Sequence, residues 1–332
     1  MHLSPKIKYA IKSISNIHRQ GERPNVFLFA TARGGSTWVM EILASQPGMK
    51  YYDEPFNIRR DNVRRTRLFP DWESIMPDTG DPELVIRYLN GLVAGDYPHM
   101  NPPPFRPHHQ LLTNRVVFKI HELEHLLDDV ARRCNGQVVY LLRHPIPTTL
   151  SRKLFPRLDL FLESKYYSRV IGDDTRLAKI RRIGRDGTHL QRGVVSWCYE
   201  NVVPLRADDL DALFVTYEEL VVNPEQACDL FLARLQMDDR PRMLRAFGTA
   251  SANIAMSSAD TREALKGADY RARTRHLFAR WEERVTAADR AAVTEVLDLF
   301  GIDAYSADRL LAHPRLLHFA DTAALAAEAV PV

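Results

Sequence analysis

Four short, nearly continuous apolar runs divide the chain, and each is followed by residues that recur at helical spacing. The runs begin at Val26, Arg115, Gln137 and Leu213. Because they lack regular alternation with polar residues, such runs are typical of parallel strands that are covered on both faces. The helical segments that follow complete repeated strand–helix units. The pattern predicts one α/β domain over residues 1–332, with three layers and a mostly parallel central sheet.

Two arginine-rich segments interrupt this rhythm and are expected to be helical insertions. Residues 57–113 contain a cluster from Arg59 to Arg67 and a helical stretch near 82–93, and residues 157–192 mix arginines with aspartates. In open α/β sheets, insertions after strand ends commonly form the mouth of a ligand site. We expect both segments to shape an acceptor site; the alternative is a solvated charged surface.

Composition and the chain ends restrict the class of function. The 332 residues carry a formal net charge of only +3, which argues against a nucleic-acid binder that works by bulk electrostatics. No apolar run is long enough to span a bilayer. Residues 1–24 are expected to form an amphipathic helix, with at most weak membrane-surface contact, and residues 310–332 to form a tail. The three scattered cysteines indicate neither a disulfide framework nor a zinc site and favour a reducing, cytoplasmic setting.

The loop after the first strand combines several groups that bind phosphate. Gly34 and Gly35 allow a sharp turn and a close backbone approach, and the following helix start offers unpaired N–H groups to an anion. Ser36 and Thr37 add hydroxyl donors, and Arg33 adds a planar cation suited to phosphate. The GxxxxGK[ST] pattern of ATPases and GTPases is missing, which disfavours a Mg²⁺-dependent kinase.

Extended to Trp38, this loop resembles the 5′-phosphosulfate loop of sulfotransferases that use 3′-phosphoadenosine 5′-phosphosulfate (PAPS). After the third run, Arg143 and Ser151 stand where the family's 3′-phosphate motif has an Arg at the strand end and a Ser in the next helix. Trp197 and Asn201 also have family-like placement. The resemblance covers roughly residues 25 to 235. It implies a P-loop-like fold, PAPS as donor, adenosine 3′,5′-bisphosphate as product, and no metal.

Two later segments extend the resemblance to the nucleotide. Val215-Thr-Tyr-Glu-Glu-Leu220 is similar to the family's Tyr-Glu-Asp-Leu segment, so Tyr217 is expected to line the adenine. Leu265-Lys-Gly267 is a partial match to an Arg-Lys-Gly stretch that wraps the 3′-phosphate, which makes Lys266 a candidate contact.

Two residues compete for the role of general base. Lys119-Ile-His121 resembles the Lys-x-His of the cytosolic branch, in which the His is the base, and a histidine has its ordinary pKa near neutrality. Asp53-Glu54-Pro55 resembles the acidic-Pro element of carbohydrate and bacterial members, some of which use a Glu; that carboxylate needs a raised pKa or tight hydrogen bonding. We favour His121 over Glu54, with His144 as a third alternative. Arg33 is expected to stabilise charge on the transferred group.

The resemblance therefore implies sulfuryl transfer to a hydroxyl of a carbohydrate, lipid or small-metabolite acceptor. Two alternatives stay open: a P-loop-related ATP-dependent phosphotransferase and a non-catalytic nucleotide-binding protein. The sequence does not indicate which hydroxyl is the acceptor, nor the oligomeric state.

Overall fold

Five parallel strands form the central sheet. The computed structural model describes residues 16–97, 108–207, 209–249, 280–320 and 322. The strands are β1 (Ile17–His18), β2 (Asn25–Ala30), β3 (Met49–Asp53), β4 (Leu112–Thr113), β5 (Arg115–Ile120), β6 (Gly136–Leu142) and β7 (Ala212–Thr216). The central sheet has the order β3-β5-β2-β6-β7, and all its pairings are parallel. The predicted parallel sheet is confirmed.

Helices follow the strands and fill the two arginine-rich insertions. The α-helices are α1 (Ser36–Ala44), α2 (Asp61–Thr66), α3 (Pro82–Ala94), α4 (Leu127–Arg133), α5 (Pro145–Leu150), α6 (Leu158–Glu163), α7 (Lys165–Ile171), α8 (Asp174–Asp186), α9 (His189–Arg206), α10 (Tyr217–Val222), α11 (Pro224–Arg234), α12 (Arg240–Phe247) and α13 (Ala287–Phe300). Short 3₁₀ turns lie at Glu73–Ile75, Glu282–Arg284 and Pro314–Leu316. No described helix is long and apolar enough to cross a membrane.

The sheet is buried on both faces, which gives the predicted three-layer α/β/α arrangement. Successive side chains of a strand point to opposite faces. Phe27 and Phe29 accordingly join one core, which includes residues of α3, α4, α9 and α13. Val26 and Leu28 join a second core, which includes residues of α1, α10, α11 and α12. Phe27 stacks on Phe118 of β5 with ring centroids 4.8 Å apart.

Local chemistry explains where several helices begin and end. Asp81 caps α3 through the N–H of Glu83, and Gly95 ends it in the left-handed region at φ 89°. Thr286 and Asp289 form a capping box at the start of α13, which satisfies two backbone donors reciprocally. The helix predicted near residues 82–93 is therefore confirmed.

Three expectations differ from the structure. The strand Met49–Asp53 is not among the predicted strands, because the charged residues Lys50 and Asp53 interrupt its apolar run. The pattern predicts a helix directly after the second apolar run, from about Glu122, but this helix begins at Leu127, because Leu123 adopts a left-handed backbone with φ 66°. That conformation interrupts a right-handed helix.

The expected N-terminal helix over 1–24 is also not helical in its described part. Residues 1–15 lie outside the described residues. Ile17–His18 instead pairs in parallel with Leu112–Thr113. The N–H of Ile17 donates to the carbonyl of Leu111 at 2.7 Å, so interstrand hydrogen bonding replaces the helical pattern there. The extent of the single domain over the whole chain stays a prediction.

Candidate active site

The carboxyl ends of the five parallel strands meet at one edge of the sheet, where they surround a cleft of about 600 Å³. From the central strand β2 the chain passes to β3 on one side, and it later crosses from β5 to β6 on the other. Open α/β sheets bind ligands at such a switch point. The predicted site residues that line the cleft are Arg33, Gly35, Ser36, Thr37, Trp38, Glu54, His121, Arg143, Ser151 and Tyr217.

Two further predicted residues are placed differently. Gly34 is buried behind the loop, where its N–H donates to the carbonyl of Thr31 at 2.9 Å. A side chain there would meet that carbonyl, since a Cβ would lie 2.8 Å from it. Lys266 lies outside the described residues, so its contact with the nucleotide stays a prediction.

The loop before α1 has a backbone that leaves little room for side chains. Arg33 and Gly35 both have positive φ, at 70° and 92°. A Cβ on Gly35 would lie 2.4 Å from Cδ2 of Tyr217. No side chain caps the start of α1 at Ser36. The N–H groups of its first turn therefore lack a capping side chain, which suits an anion.

Arg143 follows β6 and adds a second positive charge beside the loop. Its Nη1 donates to the carbonyl of Arg33 at 3.0 Å, and its guanidinium carbon lies 4.3 Å from the ring centroid of Tyr217. The Nε of Arg143 is buried and has no hydrogen-bond partner among the described residues. Ser151 ends α5 and donates to the carbonyl of Thr148 at 2.8 Å. Several N–H donors of Arg143, the Nε among them, therefore remain for a ligand.

A cluster of charges surrounds Glu54 at the ends of β3 and β5. Asp53 lies beside Lys119 in the sheet register. Lys119 Nζ lies 2.5 Å from Asp53 Oδ1 and 3.0 Å from Glu54 Oε1. Arg60 Nη2 lies 3.0 Å from Glu54 Oε2, and Asn57 Nδ2 donates to that oxygen at 2.7 Å. Burial alone would raise the pKa of Glu54, but the nearby positive charges outweigh it and hold this pKa well below its usual range.

His121 lies between the loop and Glu54. Its Nε2 is 2.9 Å from Ser36 Oγ, and its Nδ1 is 3.6 Å from Glu54 Oε1. Because an ionised carboxylate only accepts hydrogen bonds, this geometry favours the proton on Nδ1 and leaves Nε2 as an acceptor. Burial lowers the pKa of His121 to about 4, although the charge of Glu54 acts in the opposite direction. The imidazole is therefore neutral near pH 7.

His144, the third alternative for the base, is part of the core. Its ring stacks on Trp281 with centroids 4.5 Å apart, and its Nε2 lies 3.1 Å from the carbonyl of Ser306. Burial lowers its pKa to about 3. It is not among the residues that line the cleft, so the interpretation of His144 as a base is wrong.

Helix α9 forms hydrogen bonds to two segments of the cleft, namely the start of the loop after β2 and the end of β6. Asn201 Nδ2 donates to Thr31 Oγ1 at 3.0 Å, and Trp197 Nε1 donates to the carbonyl of Arg143 at 3.1 Å. These contacts give a physical reason for the placement of Trp197 and Asn201 in the sequence. Helix α9 thereby holds both the loop before α1 and the end of β6 in place.

Several residues around the site were not singled out from the sequence. Asp53, Arg60 and Lys119 complete the charge cluster. Glu122 lines the cleft and accepts the N–H of His121 at 3.1 Å, and burial raises its pKa to about 7. Lys119 did carry a signal, because a single lysine in an otherwise buried apolar strand needs a partner.

Comparison with solved structures gives distant similarities. The chain is similar to mouse sulfotransferase SULT7A1 complexed with PAP, at 13% identity over 97% of this chain and 92% of that chain, with a TM-score of 0.42. It is also similar to the sulfotransferase domain of the Synechococcus PCC 7002 olefin synthase, at 17% identity over 86% of this chain and 97% of that chain, with a TM-score of 0.41. The sulfotransferase domain from the curacin biosynthetic pathway gives 13% identity over 86% of this chain and 99% of that chain, with a TM-score of 0.42. No family model and no curated protein matches the chain.

Proposed function

We propose that this protein transfers a sulfuryl group from PAPS to a hydroxyl of an acceptor. The observation that carries the proposal is the juxtaposition, in one cleft, of two cation-bearing anion sites and a neutral histidine. The loop with Arg33 forms the first anion site, Arg143 forms the second, and His121 lies beside the loop. A nucleotide with phosphate groups at both its 5′ and 3′ positions needs two such sites on one sheet edge.

The residues present fit this cofactor. The buried, unpartnered Nε of Arg143 and the exposed Ser151 are available to a 3′-phosphate. Gly35 keeps the loop open to the close approach of a 5′-phosphosulfate, since a larger residue would contact Tyr217. When bound, PAPS supplies the sulfuryl group and leaves as adenosine 3′,5′-bisphosphate. Arg33 and the first-turn N–H groups of α1 stabilise negative charge at the loop.

The charges around the loop argue against a magnesium-dependent phosphotransfer. In ATP-binding loops the Ser/Thr hydroxyl coordinates Mg²⁺. Here the hydroxyl of Thr37 accepts a hydrogen bond from Lys119 Nζ at 3.0 Å. An ammonium group at this position repels a divalent cation. The Thr37 hydroxyl is thereby already bonded to Lys119, which argues against its use as a magnesium ligand.

His121 is the better general base of the two candidates. Glu54 is held ionised by Lys119 and Arg60, so its carboxylate is a weak proton acceptor. His121 is neutral and presents Nε2 toward the loop, where it can take the acceptor hydroxyl's proton. Glu54 then faces Nδ1 and stabilises the imidazolium that results, the role of a carboxylate that orients a catalytic histidine.

The cofactor assignment is tested by thermal unfolding with three ligands. We expect adenosine 3′,5′-bisphosphate to raise Tm more than 5′-AMP or Mg·ATP, because only the bisphosphate uses both anion sites. At about 100 times Kd the stabilisation is about 2.7 kcal/mol. Arg143→Gln should reduce the advantage of the bisphosphate over 5′-AMP. Equal shifts with all three ligands would overturn the assignment, and a larger shift with Mg·ATP would favour the phosphotransferase.

A further inference from the structure

The cations on the cleft wall fall into two groups. Three are neutralised by carboxylates: Lys119 by Asp53 and Glu54, Arg152 by Glu200, and Arg157 by Glu124. The others have no carboxylate within ion-pair distance among the described residues: Arg33, Arg59, Arg143 and Lys153. Unneutralised cations that line a cleft are available to an anionic ligand.

The proposed function accounts for only some of these free charges. Arg33 and Arg143 follow the neighbouring strands β2 and β6, where the cofactor is proposed to bind. Lys153 lies two residues after Ser151, on the segment that continues through Leu154 to Arg157. Arg59 follows the edge strand β3, and β5 and β2 separate β3 from β6. Three strand spacings amount to about 14 Å, which separates the end of β3, where the loop with Arg59 begins, from the end of β6.

The backbone of Arg59 is tied to the candidate catalytic groups. Asn57 donates through Nδ2 to Glu54 Oε2 at 2.7 Å and accepts the N–H of Arg59 through Oδ1 at 3.0 Å. The next residue, Arg60, forms ion pairs with Asp53 and Glu54. Of these two consecutive arginines, one therefore closes the carboxylate cluster and the other remains exposed at the cleft wall.

Apolar side chains also line this cleft, namely Trp72, Leu154 and Pro156. Trp72 is partly buried and packs against the larger core. Leu154 lines the cleft, and 63% of its surface is exposed. Pro156 follows on the same segment, which reaches the base through the hydrogen bond from Arg157 Nη2 to the carbonyl of His121 at 2.8 Å.

We infer that the acceptor is an amphiphilic hydroxyl compound with an anionic group, which Arg59 binds while Trp72 and Leu154 contact the apolar part. This inference rests on the proposed function, because a nucleotide is assumed to occupy the β2–β6 side. A displacement in line requires donor and acceptor on opposite sides of the reacting group. The β3 side, with Glu54, His121 and Arg59, is the side that remains for the acceptor.

The experiment measures binding, so that turnover of an unidentified substrate is not needed. Protein saturated with adenosine 3′,5′-bisphosphate is titrated calorimetrically with two matched pairs of probes. One pair is 3-(4-hydroxyphenyl)propanoate and its amide, and the other is 3-hydroxydecanoate and its methyl ester. We expect the anion of at least one pair to bind about tenfold more tightly than its neutral partner, as for one charge-assisted hydrogen bond.

Three variants separate the proposed contacts from general electrostatics. Arg59→Gln should abolish most of the preference for the anion and leave the Kd of the neutral probe within about twofold. Arg65→Gln is the matched control, because Arg65 is an exposed arginine of the same insertion that does not line the cleft. Leu154→Ser should weaken both members of a pair by a similar factor, about threefold.

Two results would overturn the inference: equal binding of anion and neutral probe in both pairs, or equal losses in Arg59→Gln and Arg65→Gln. If the bisphosphate stabilises the protein but the anion is not preferred, only the acceptor inference fails. If the bisphosphate does not bind at all, the proposed function fails first, and the inference fails with it.

Discussion

His121 Nδ1 and Glu54 Oε1 lie 3.6 Å apart, yet the surroundings of the two residues act on them differently. Glu54 meets two cations and an amide, so its ionised form is favoured despite burial. For His121 the largest effect is burial, which removes water from the ring, lowers its pKa and favours its neutral form. A base and its orienting carboxylate are thereby kept in complementary states at neutral pH, which is the division of roles that proton transfer from a hydroxyl requires.

The lowered pKa of His121 predicts an unusual pH profile. Proton transfer needs neutral His121, whose pKa is lowered from 6.5 to about 4. Activity should therefore persist as pH falls through 6.5 and decline only near pH 4. The measurement is kcat/KM from about pH 3.5 to 9, with acceptor and PAPS. Bisphosphate affinity over the same range is the control, because a phosphate ionises near pH 6. If kcat/KM instead fell near pH 6.5 while bisphosphate affinity stayed constant, that result would contradict the lowered pKa of His121.

Much of the site could be predicted at the residue scale because its signals are local in sequence. Arg33, Gly35 and Ser36 follow one another after an apolar strand, and Arg143 is a charge at the end of another. The partners of Glu54 could not be predicted in this way. The ion pair between Lys119 and Asp53 depends on the register of two strands that are far apart in the chain.

At the scale of single elements, the β2–loop–α1 unit is the most constrained part of the cleft. Its geometry depends on Gly35 for two separate reasons, namely a positive φ and the proximity of the Tyr217 ring. Tyr217 in turn supports the guanidinium of Arg143. A change in the loop is therefore transmitted to the second anion site through one aromatic ring.

Gly35→Ala should lower both stability and bisphosphate affinity. The left-handed backbone costs an alanine about 1–2 kcal/mol, and the displaced Tyr217 ring adds to this. Gly95→Ala is the matched control, because Gly95 has a similar φ of 89° but nothing within 4 Å of a Cβ. The measurements are Tm and bisphosphate affinity by calorimetry. Equal losses of stability in the two variants, with unchanged affinity, would show that contact with Tyr217 is unimportant.

Element prediction succeeded for the four continuous apolar runs, which include the edge strand β7, and failed only for β3 at the other edge of the sheet. The four apolar runs correspond to β2, β5, β6 and β7. The fifth strand, β3, has one neighbour in the sheet and carries Lys50 beside tyrosines. Its sequence does not need to be continuously apolar, so periodicity alone does not identify it.

At the scale of the whole molecule, the second insertion connects the cleft floor to the main core. Arg157 pairs with Glu124 at 2.9 Å, and both side chains are almost fully buried. Arg152, just before the insertion, and Glu200, after it, form a similar pair at 2.9 Å. The sequence predicted that this segment shapes the site. It could not predict these pairs, because each joins residues more than thirty positions apart.

Arg157→Met tests how far this connection stabilises the fold. Loss of one partner leaves Glu124 buried and unpaired, which typically costs about 3–5 kcal/mol. Burial raises the pKa of Glu124, and Arg157 opposes that rise, so the variant should raise this pKa further. The folded variant then binds a proton that the unfolded chain releases above its ordinary pKa of 4.5. The difference in free energy of unfolding between the variant and the parent protein should therefore shrink as pH falls and grow as pH rises.

The loss is measured from urea midpoints of both proteins at about pH 5 and pH 8. The double variant Arg157→Met/Glu124→Gln is the control, since it has no buried charge at this pair and should show little dependence on pH. A deficit in Arg157→Met that is equal at both pH values would mean that lost packing, and not the unpaired carboxylate, destabilises the protein. A deficit that is smaller at pH 5 and is relieved by the second substitution would identify Glu124 as the source. The insertion would then be fixed to the cleft floor by a charge pair that neither residue can lose alone.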